Sequence, residues 1–193
     1  VIGAGSPVVD VKFIRAYDDY EPVNYNPEQQ LGIIPARQAV ASSQNLPVLR
    51  LYDSILDRRP AAFLEKMGFS RLTEGDYVHL STAIGGLTNG ATVEENVNAY
   101  ATFANSGQFI DAYMIERIED LDGNIIYEHQ AEPVEVFSPE TAYMMTDMLR
   151  DVLQEGGTAT LGKSQLKFSS DFAAKTGTTQ DHKDVWLVGY NPN

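Results

Sequence analysis

Lys175-Thr176-Gly177-Thr178-Thr179, with Asp184-Val185-Trp186-Leu187-Val188-Gly189-Tyr190 close behind, places a cation, hydroxyls and a bare glycine on what reads as a strand, a turn and a second strand. A lysine and threonines on one strand can grip a carboxylate through charge-assisted hydrogen bonds. A glycine among them lets an extended peptide lie alongside as an added strand. The chemistry this suits is acyl transfer on peptides. Far upstream, Ser43-Gln44-Asn45 supplies another hydroxyl and an amide that both donates and accepts. Each triplet alone is a short motif, and a lysine on an edge strand is ordinarily a solvated charge. Their meaning depends on the elements that carry them.

The 193 residues are 43% hydrophobic and 21% charged, which suits one globular domain with a real core. The 14 Lys and Arg against 27 Asp and Glu leave a net charge of -13, and no local basic patch interrupts it. Phosphate backbones are repelled by such a surface, so nucleic acid is not an expected partner. The absence of cysteine removes disulfides, thiolate metal sites and a cysteine nucleophile together, leaving Ser, Thr, Lys, Asn and carboxylates to do any chemistry. His79, His129 and His182 show no ligand spacing, and the expectation is ordinary exposed or hydrogen-bonded histidines with no metal and no cofactor. No apolar run reaches the length of a membrane span. The start, Val1-Ile2-Gly3-Ala4, has neither an initiator Met nor a charged signal-peptide head, and Gly189-Tyr190-Asn191-Pro192-Asn193 reads as a turn leaving a strand. The expectation is an internal segment of a longer protein.

Residues 1–35 are turn-rich and polar and read as a long surface segment without regular structure. Helical spacing begins at Ala36, breaks near Ser42-Ser43-Gln44-Asn45 and resumes through Val48, Leu51, Ile55 and Leu56, so polar residues sit at a junction able to face a cleft. A short helix is predicted from Ala61 to Met67, closed by Gly68. A longer one begins at the capping box Thr92-Val93-Glu94-Glu95 and runs to about Asn105. Asp122-Gly123 between Tyr113–Ile118 and Ile125–Tyr127 signals a β-hairpin. Ser138-Pro139 opens a helix whose apolar face is Ala142, Met145, Leu149, Val152 and Leu153, ended by Gly156-Gly157, with Met144, Met145 and Met148 read as packing. Phe168–Thr179 and Val185–Tyr190 read as strands joined by the polar turn Gln180-Asp181-His182-Lys183. Strands, then helices, then strands argue for an α+β fold, with helices flanking an antiparallel sheet.

A Ser-x-Asn motif with Lys-Thr-Gly is the pair carried by penicillin-binding proteins and class A β-lactamases. On those residues the chain resembles the penicillin-binding transpeptidases, and further stretches in the same order are similar to the transpeptidase domain of the bifunctional class A enzymes. These are Tyr20-Glu21-Pro22-Val23-Asn24-Tyr25 and Arg37-Gln38-Ala39 before Ser43-Gln44-Asn45-Leu46-Pro47-Val48, then Gly85-Gly86-Leu87-Thr88-Asn89-Gly90 with Asn98–Asn105, then Ala174–Thr179 with Asp184-Val185-Trp186. The resemblance implies a β-lactamase-like fold truncated at both ends, with residues 1–193 forming part of one transpeptidase domain. It implies a D,D-transpeptidase that cross-links peptidoglycan stem peptides. A serine attacks a peptide ending in D-Ala-D-Ala, the last residue leaves, and an amine acceptor takes the acyl group. β-Lactams would acylate the same serine.

By the same resemblance Lys175 places a charge near Ser43, and Ser43 relays a proton to the leaving amine rather than acting as nucleophile. Asn45 would hold the peptide-like side chain of the substrate, Thr176 and Thr178 its carboxylate, and Gly177 its backbone. The N–H of Thr178 would form half of an oxyanion hole, a donor worth roughly 3 kcal/mol. A membrane anchor and a glycosyltransferase domain are implied upstream, with the domain at the outer face of the cell membrane.

The pattern departs from the family in its first motif, because the Ser-x-x-Lys carrying the nucleophile should precede Ser43 by more residues than are present, so this stretch alone should be inactive. The match Ser164-Gln165-Leu166-Lys167 comes after Ser-x-Asn, out of the family order, and reads as chance on a loop or strand. Gly85–Gly90 has P-loop glycine spacing without the phosphate-binding lysine and reads as a structural turn. Two alternatives stand beside the transpeptidase. One is a D,D-carboxypeptidase or β-lactamase-type serine hydrolase, and the other a noncatalytic module that binds cell-wall peptides.

Overall fold

The computed structural model describes residues 2–16, 18–165 and 171–191. Strand β1 (Pro7–Asp10) pairs antiparallel with β2 (Gly32–Pro35), setting Val8 opposite Ile34 and Val9 opposite Ile33. The predicted irregular segment 1–35 therefore has a ladder at its two ends. Four-residue strands bounded by Pro7, Pro35 and Gly32, the last at a φ of +74°, are too short for alternation to register in sequence.

Strand β2 runs directly into α1 (Ala36–Ala41), and α2 (Asn45–Asp53) follows after a three-residue break. At that break Ser43 adopts a φ of +55°, and the N–H groups of Ser43 and Gln44 donate to the carbonyls of Val40 and Ala39 at 3.2 and 2.9 Å. The chain thus ends one helix and restarts another with Ser43 on the outside of the bend. After α3 (Ala62–Lys66), Gly68 takes a φ of +87° with the ring of Phe109 so close that a Cβ there would lie 2.8 Å from it.

The capping box at Thr92 forms as predicted, with Glu95 N–H donating to Thr92 Oγ1 at 3.0 Å and Thr92 N–H to Glu95 Oε2 at 2.8 Å, and α4 spans Val93–Ala104. Beyond it β3 (Gln108–Phe109), β4 (Arg117–Glu119), β5 (Ile125–Glu128) and β6 (Val134–Glu135) pair as β3 with β6 and β4 with β5. The second pair is the Asp122-Gly123 hairpin, with a bulge after Ile118. Ser138 caps α5 (Pro139–Arg150), accepting from Thr141 N–H, and a 3-10 turn at Asp151–Leu153 continues its apolar face. Helix α6 (Thr160–Gln165) precedes β7 (Ala173–Thr178) and β8 (Val185–Tyr190).

The fold is α+β. Among the described residues its antiparallel pairing is divided into four two-stranded ladders. Two apolar clusters hold it together. Met67, Ala99, Phe109 and Val136 gather Leu64, Phe69 and Phe137, while Val152, Leu153, Ala159 and Ala174 gather Phe172 and seat β7 against the end of α5. Arg37 of α1 pairs with Asp147 and, at 2.6 Å, with Asp151, fixing α1 across α5. Met148 of α5 is buried.

Two motif decoys resolve differently. Ser164 lies in α6 and not on a loop or strand, while Lys167 falls outside the described residues. Gly85–Gly90 is a turn wrapped around the buried Asp76, whose carboxylate accepts from the N–H and hydroxyl of both Thr73 and Thr88 at 2.7 to 3.0 Å. Burial pushes that carboxyl up, but the backbone and side-chain hydrogen bonds outweigh it and hold the group at about 2. A loop closed on its own anion is no phosphate cradle.

Candidate active site

Strand β7 climbs out of the core. Ala173 and Ala174 are buried, Lys175 and Thr176 half-buried, and Gly177 and Thr178 exposed. Its partner β8 sets Lys175 opposite Val188, Thr176 opposite Leu187 and Gly177 opposite Trp186. A Cβ on Gly189 would lie 3.2 Å from both Ala174 Cβ and the Ala173 carbonyl, so glycine there lets the buried end of the pair close up. Among the described residues β7 pairs with β8 alone, so its other edge carries no strand partner. The turn between the strands, Gln180–His182, takes left-handed backbone at Asp181 and His182 (φ +60° and +55°) and is closed by Asp184 N–H donating to Thr179 Oγ1 at 2.9 Å and Thr179 Oγ1 to Asp184 Oδ2 at 3.1 Å.

Lys175 Nζ donates to Ser43 Oγ at 2.7 Å and to the carbonyl of Thr176 at 2.9 Å. Two motifs at opposite ends of the chain therefore share one hydrogen bond. Burial depresses the Lys175 ammonium from its ordinary 10.5 to about 8, because removing a charge from water favours the neutral amine. With the lysine donating to Ser43 Oγ, the serine's own O–H is left to point elsewhere, which is the polarity a proton relay requires.

The remaining residues of the two motifs are arranged less symmetrically. Thr176 Oγ1 lies 2.6 Å from Thr158 Oγ1, and Thr158 N–H donates to the carbonyl of Ala41 at 3.1 Å, so the base of β7 is tied to the end of α1. Gly177 and Thr178 face solvent, and a Cβ on Gly177 would meet Trp186 Cβ at an ordinary 3.7 Å. Nothing inside the chain requires a glycine there. Asn45 Nδ2 donates to the Val23 carbonyl at 3.0 Å, holding the carboxamide against the 20–25 segment.

Sequence reasoning singled out that segment without finding its working residue. Asn24 is 4% exposed, and its Oδ1 accepts from the N–H groups of Asn45 and Leu46 at 2.9 and 3.1 Å, supplying the helix cap that Gln44 does not. Its Nδ2 donates to Asp10 Oδ1 at 2.7 Å and to the Gln29 carbonyl at 2.8 Å. Next to it Tyr25 reaches across to the β7–β8 turn, where its hydroxyl lies 3.3 Å from His182 Nε2 and the rings stack. The other two histidines are elsewhere, His79 heading a 3-10 turn and His129 stacked on Tyr113.

Residues 14–193 match the penicillin binding protein transpeptidase domain. The chain belongs to that family. Among curated relatives, this transpeptidase-family chain is 32% identical over 171 residues to penicillin-binding protein 4 of Bacillus subtilis, covering 89% of the chain and 26% of the relative. It is 35% identical over 173 residues to penicillin-binding protein 1A of Neisseria flavescens, covering 84% of the chain and 20% of the relative. The chain thus spans about a quarter of the first relative's length and a fifth of the second's. Its fold matches penicillin-binding protein A from M. tuberculosis, solved as an imipenem acyl-enzyme complex, with a TM-score of 0.77 at 16% identity over 98% of this chain and 47% of that one. In this fold the Ser43-Gln44-Asn45 and Lys175-Thr176-Gly177 motifs meet at the Lys175 to Ser43 contact.

Proposed function

We propose that the protein carrying this chain is a serine-type D,D-transpeptidase that cross-links peptidoglycan stem peptides and is acylated by β-lactams, with residues 1–193 forming part of its transpeptidase domain. The observation that carries the reading is the 2.7 Å contact between Lys175 Nζ and Ser43 Oγ, within a chain of the transpeptidase family. A catalytic serine from a Ser-x-x-Lys in another stretch of the same protein attacks the carbonyl of the penultimate D-alanine. Ser43 passes its hydroxyl proton to the departing amine nitrogen as the C–N bond breaks, and an N–H proton of Lys175 replaces it. An amine acceptor then attacks the acyl-enzyme, and the serine is released.

The other side chains supply position and charge. An extended peptide adds to the unpaired edge of β7, where Gly177 leaves space for its backbone. The hydroxyls of Thr176 and Thr178, with Lys175, receive the terminal carboxylate, and Thr178 N–H faces the developing oxyanion. Asn45 orients the amide of the substrate side chain through its carboxamide oxygen while Val23 holds the nitrogen. The solved imipenem acyl-enzyme of the M. tuberculosis protein supports β-lactams as ligands of this fold. We place the enzyme at the outer face of the cell membrane, anchored by another part of the protein. Among the described residues no helix is long and apolar enough to cross a membrane.

The test is labelling of the full-length protein by a fluorescent penicillin. The wild type should label and Lys175→Ala should not, with the fold intact by circular dichroism. A wild-type protein that neither labels nor carries a Ser-x-x-Lys ahead of Ser43 would leave the peptide-binding module as the better reading.

A further inference from the structure

We infer that Asn24 and Asp10 form a buried positioning device for the Ser43-Gln44-Asn45 wall, and that through it they set how strongly the enzyme prefers ligands bearing an amide side chain. The inference rests on the transpeptidase reading above. Asp10 is the last residue of β1 and is fully buried, with Leu31 N–H donating to its Oδ2 at 2.8 Å and Asn24 Nδ2 to its Oδ1 at 2.7 Å. Asn24, itself buried, accepts with its carboxamide oxygen from the first two N–H groups of α2. The result is a continuous line of hydrogen bonds from the first strand to the residue that presents the carboxamide.

Three observations separate this from an ordinary helix cap. The cap comes from 21 residues away instead of from the N-cap position, where Gln44 makes no side-chain cap. A local cap would have stabilised the helix equally well, so the distant one does something more: it fixes α2 relative to β1. The neighbouring carbonyl of Val23 holds Asn45 Nδ2, so the same short segment grips both the backbone and the side chain of Asn45. Finally, Ser43 sits between a helix end and this anchored start with a φ of +55°, so freeing the start of α2 lets the bend relax. Asn24 touches neither substrate nor reacting atoms. It acts through Asn45.

Identities are matched to roles. Asparagine at 24 is needed because one end must accept twice and the other donate twice, which neither aspartate nor leucine can do. Asn24→Asp keeps the acceptor for α2 but sets a second carboxylate against Asp10 and loses the donors. Exchanging the two residues, Asp10→Asn with Asn24→Asp, restores the bond between them and the bonds to α2 and to Leu31, but sets a carboxylate oxygen against the Gln29 carbonyl and leaves one amide hydrogen at position 10 without an acceptor.

The experiment measures second-order acylation rates of the full-length protein with benzylpenicillin, which carries an acylamido side chain, and with 6-aminopenicillanic acid, which lacks it. The melting temperature is recorded for each variant. Asn24→Ala and Asn24→Asp should lose about tenfold in the ratio of the two rates, as expected when a binding group is misplaced by a fraction of an ångström. The exchanged double variant should recover most of that ratio. A purely structural role lowers both rates together and leaves the ratio unchanged, and that result overturns the inference, as does a double variant no better than Asn24→Asp. A wild type that neither penicillin acylates would instead overturn the transpeptidase reading itself.

Discussion

Lys175 and Ser43 lie 132 residues apart in the chain and 2.7 Å apart in space. Helix α1 and strand β7 bring them together by different means. Ser43 is thrust outward by the positive-φ bend after α1, and Lys175 sits where β7 leaves the apolar cluster of Val152, Leu153, Ala159 and Ala174. The two supports are joined by Arg37 to Asp151 and by Thr158, which bonds to both Ala41 and Thr176. The contact is thus braced on both sides.

The half-buried ammonium of Lys175 makes stability depend on alkaline pH and, through the proposed relay, makes acylation do so too. Its folded value of about 8 is below its ordinary 10.5, so between those values the unfolded chain binds the extra proton. Stability contributed by this group therefore rises as pH rises from about 8 towards 10.5, and is lost as pH falls through 8. Melting curves of wild type and Lys175→Met across that range should differ in slope in this sense. β-Lactam acylation should fall as pH passes 8, because the neutral amine no longer supplies the relay with a proton.

Ser43→Ala removes the proposed relay while leaving the proposed nucleophile in place. Acylation by penicillin should slow by about a hundredfold, the lower range for a lost general acid, with the label still forming at long times. Stopped-flow or quenched labelling measures this, and an unchanged rate would remove Ser43 from the mechanism.

Gly177→Val separates the needs of the fold from those of the ligand. The nearest neighbour of a Cβ there is Trp186 Cβ at 3.7 Å, and φ is not in the left-handed region, so stability should change by no more than about 0.5 kcal/mol. Penicillin labelling should nonetheless be lost, because the branched side chain projects from the sheet face beside the edge on which the ligand is proposed to lie. A variant that labels normally would mean that the ligand does not run along β7.

Asp76→Ala tests the Gly85–Gly90 turn. Its loss takes the acceptor from the half-buried Thr73 and the exposed Thr88, at a cost of about 1.5 kcal/mol in denaturant unfolding, the lower range for hydrogen bonds to a charged group. In the wild type, the stability that this carboxylate contributes is present above its ordinary 3.8 and lost as pH falls through about 2. A variant melting like wild type would show the turn to be held by other contacts.

Local signals were legible wherever the physics is local. The capping box at Thr92, the Ser138-Pro139 helix start and the Val185–Tyr190 strand depend on residues within a turn of one another, and all three form at the predicted places. The helix break at Ser42–Gln44 was visible for the same reason. Strands β1 and β2 were not, because each is stabilised by the other across more than twenty residues of irregular chain. Ser164 reads as a loop or strand residue in sequence but lies in a helix, since a six-residue helix leaves little periodicity to read.

By itself, the amino-acid sequence determined the order of the Ser-x-Asn and Lys-Thr-Gly motifs, the short helices around the first and the strand bearing the second, because residue type and neighbours govern those. Only the tertiary structure decided that Lys175 donates to Ser43, that Thr176 turns to Thr158, and that Asn24 and Asp10 stand behind Asn45. A buried hydrogen bond links donors and acceptors that the fold has already brought within 3 Å, and sequence spacing carries no record of that distance.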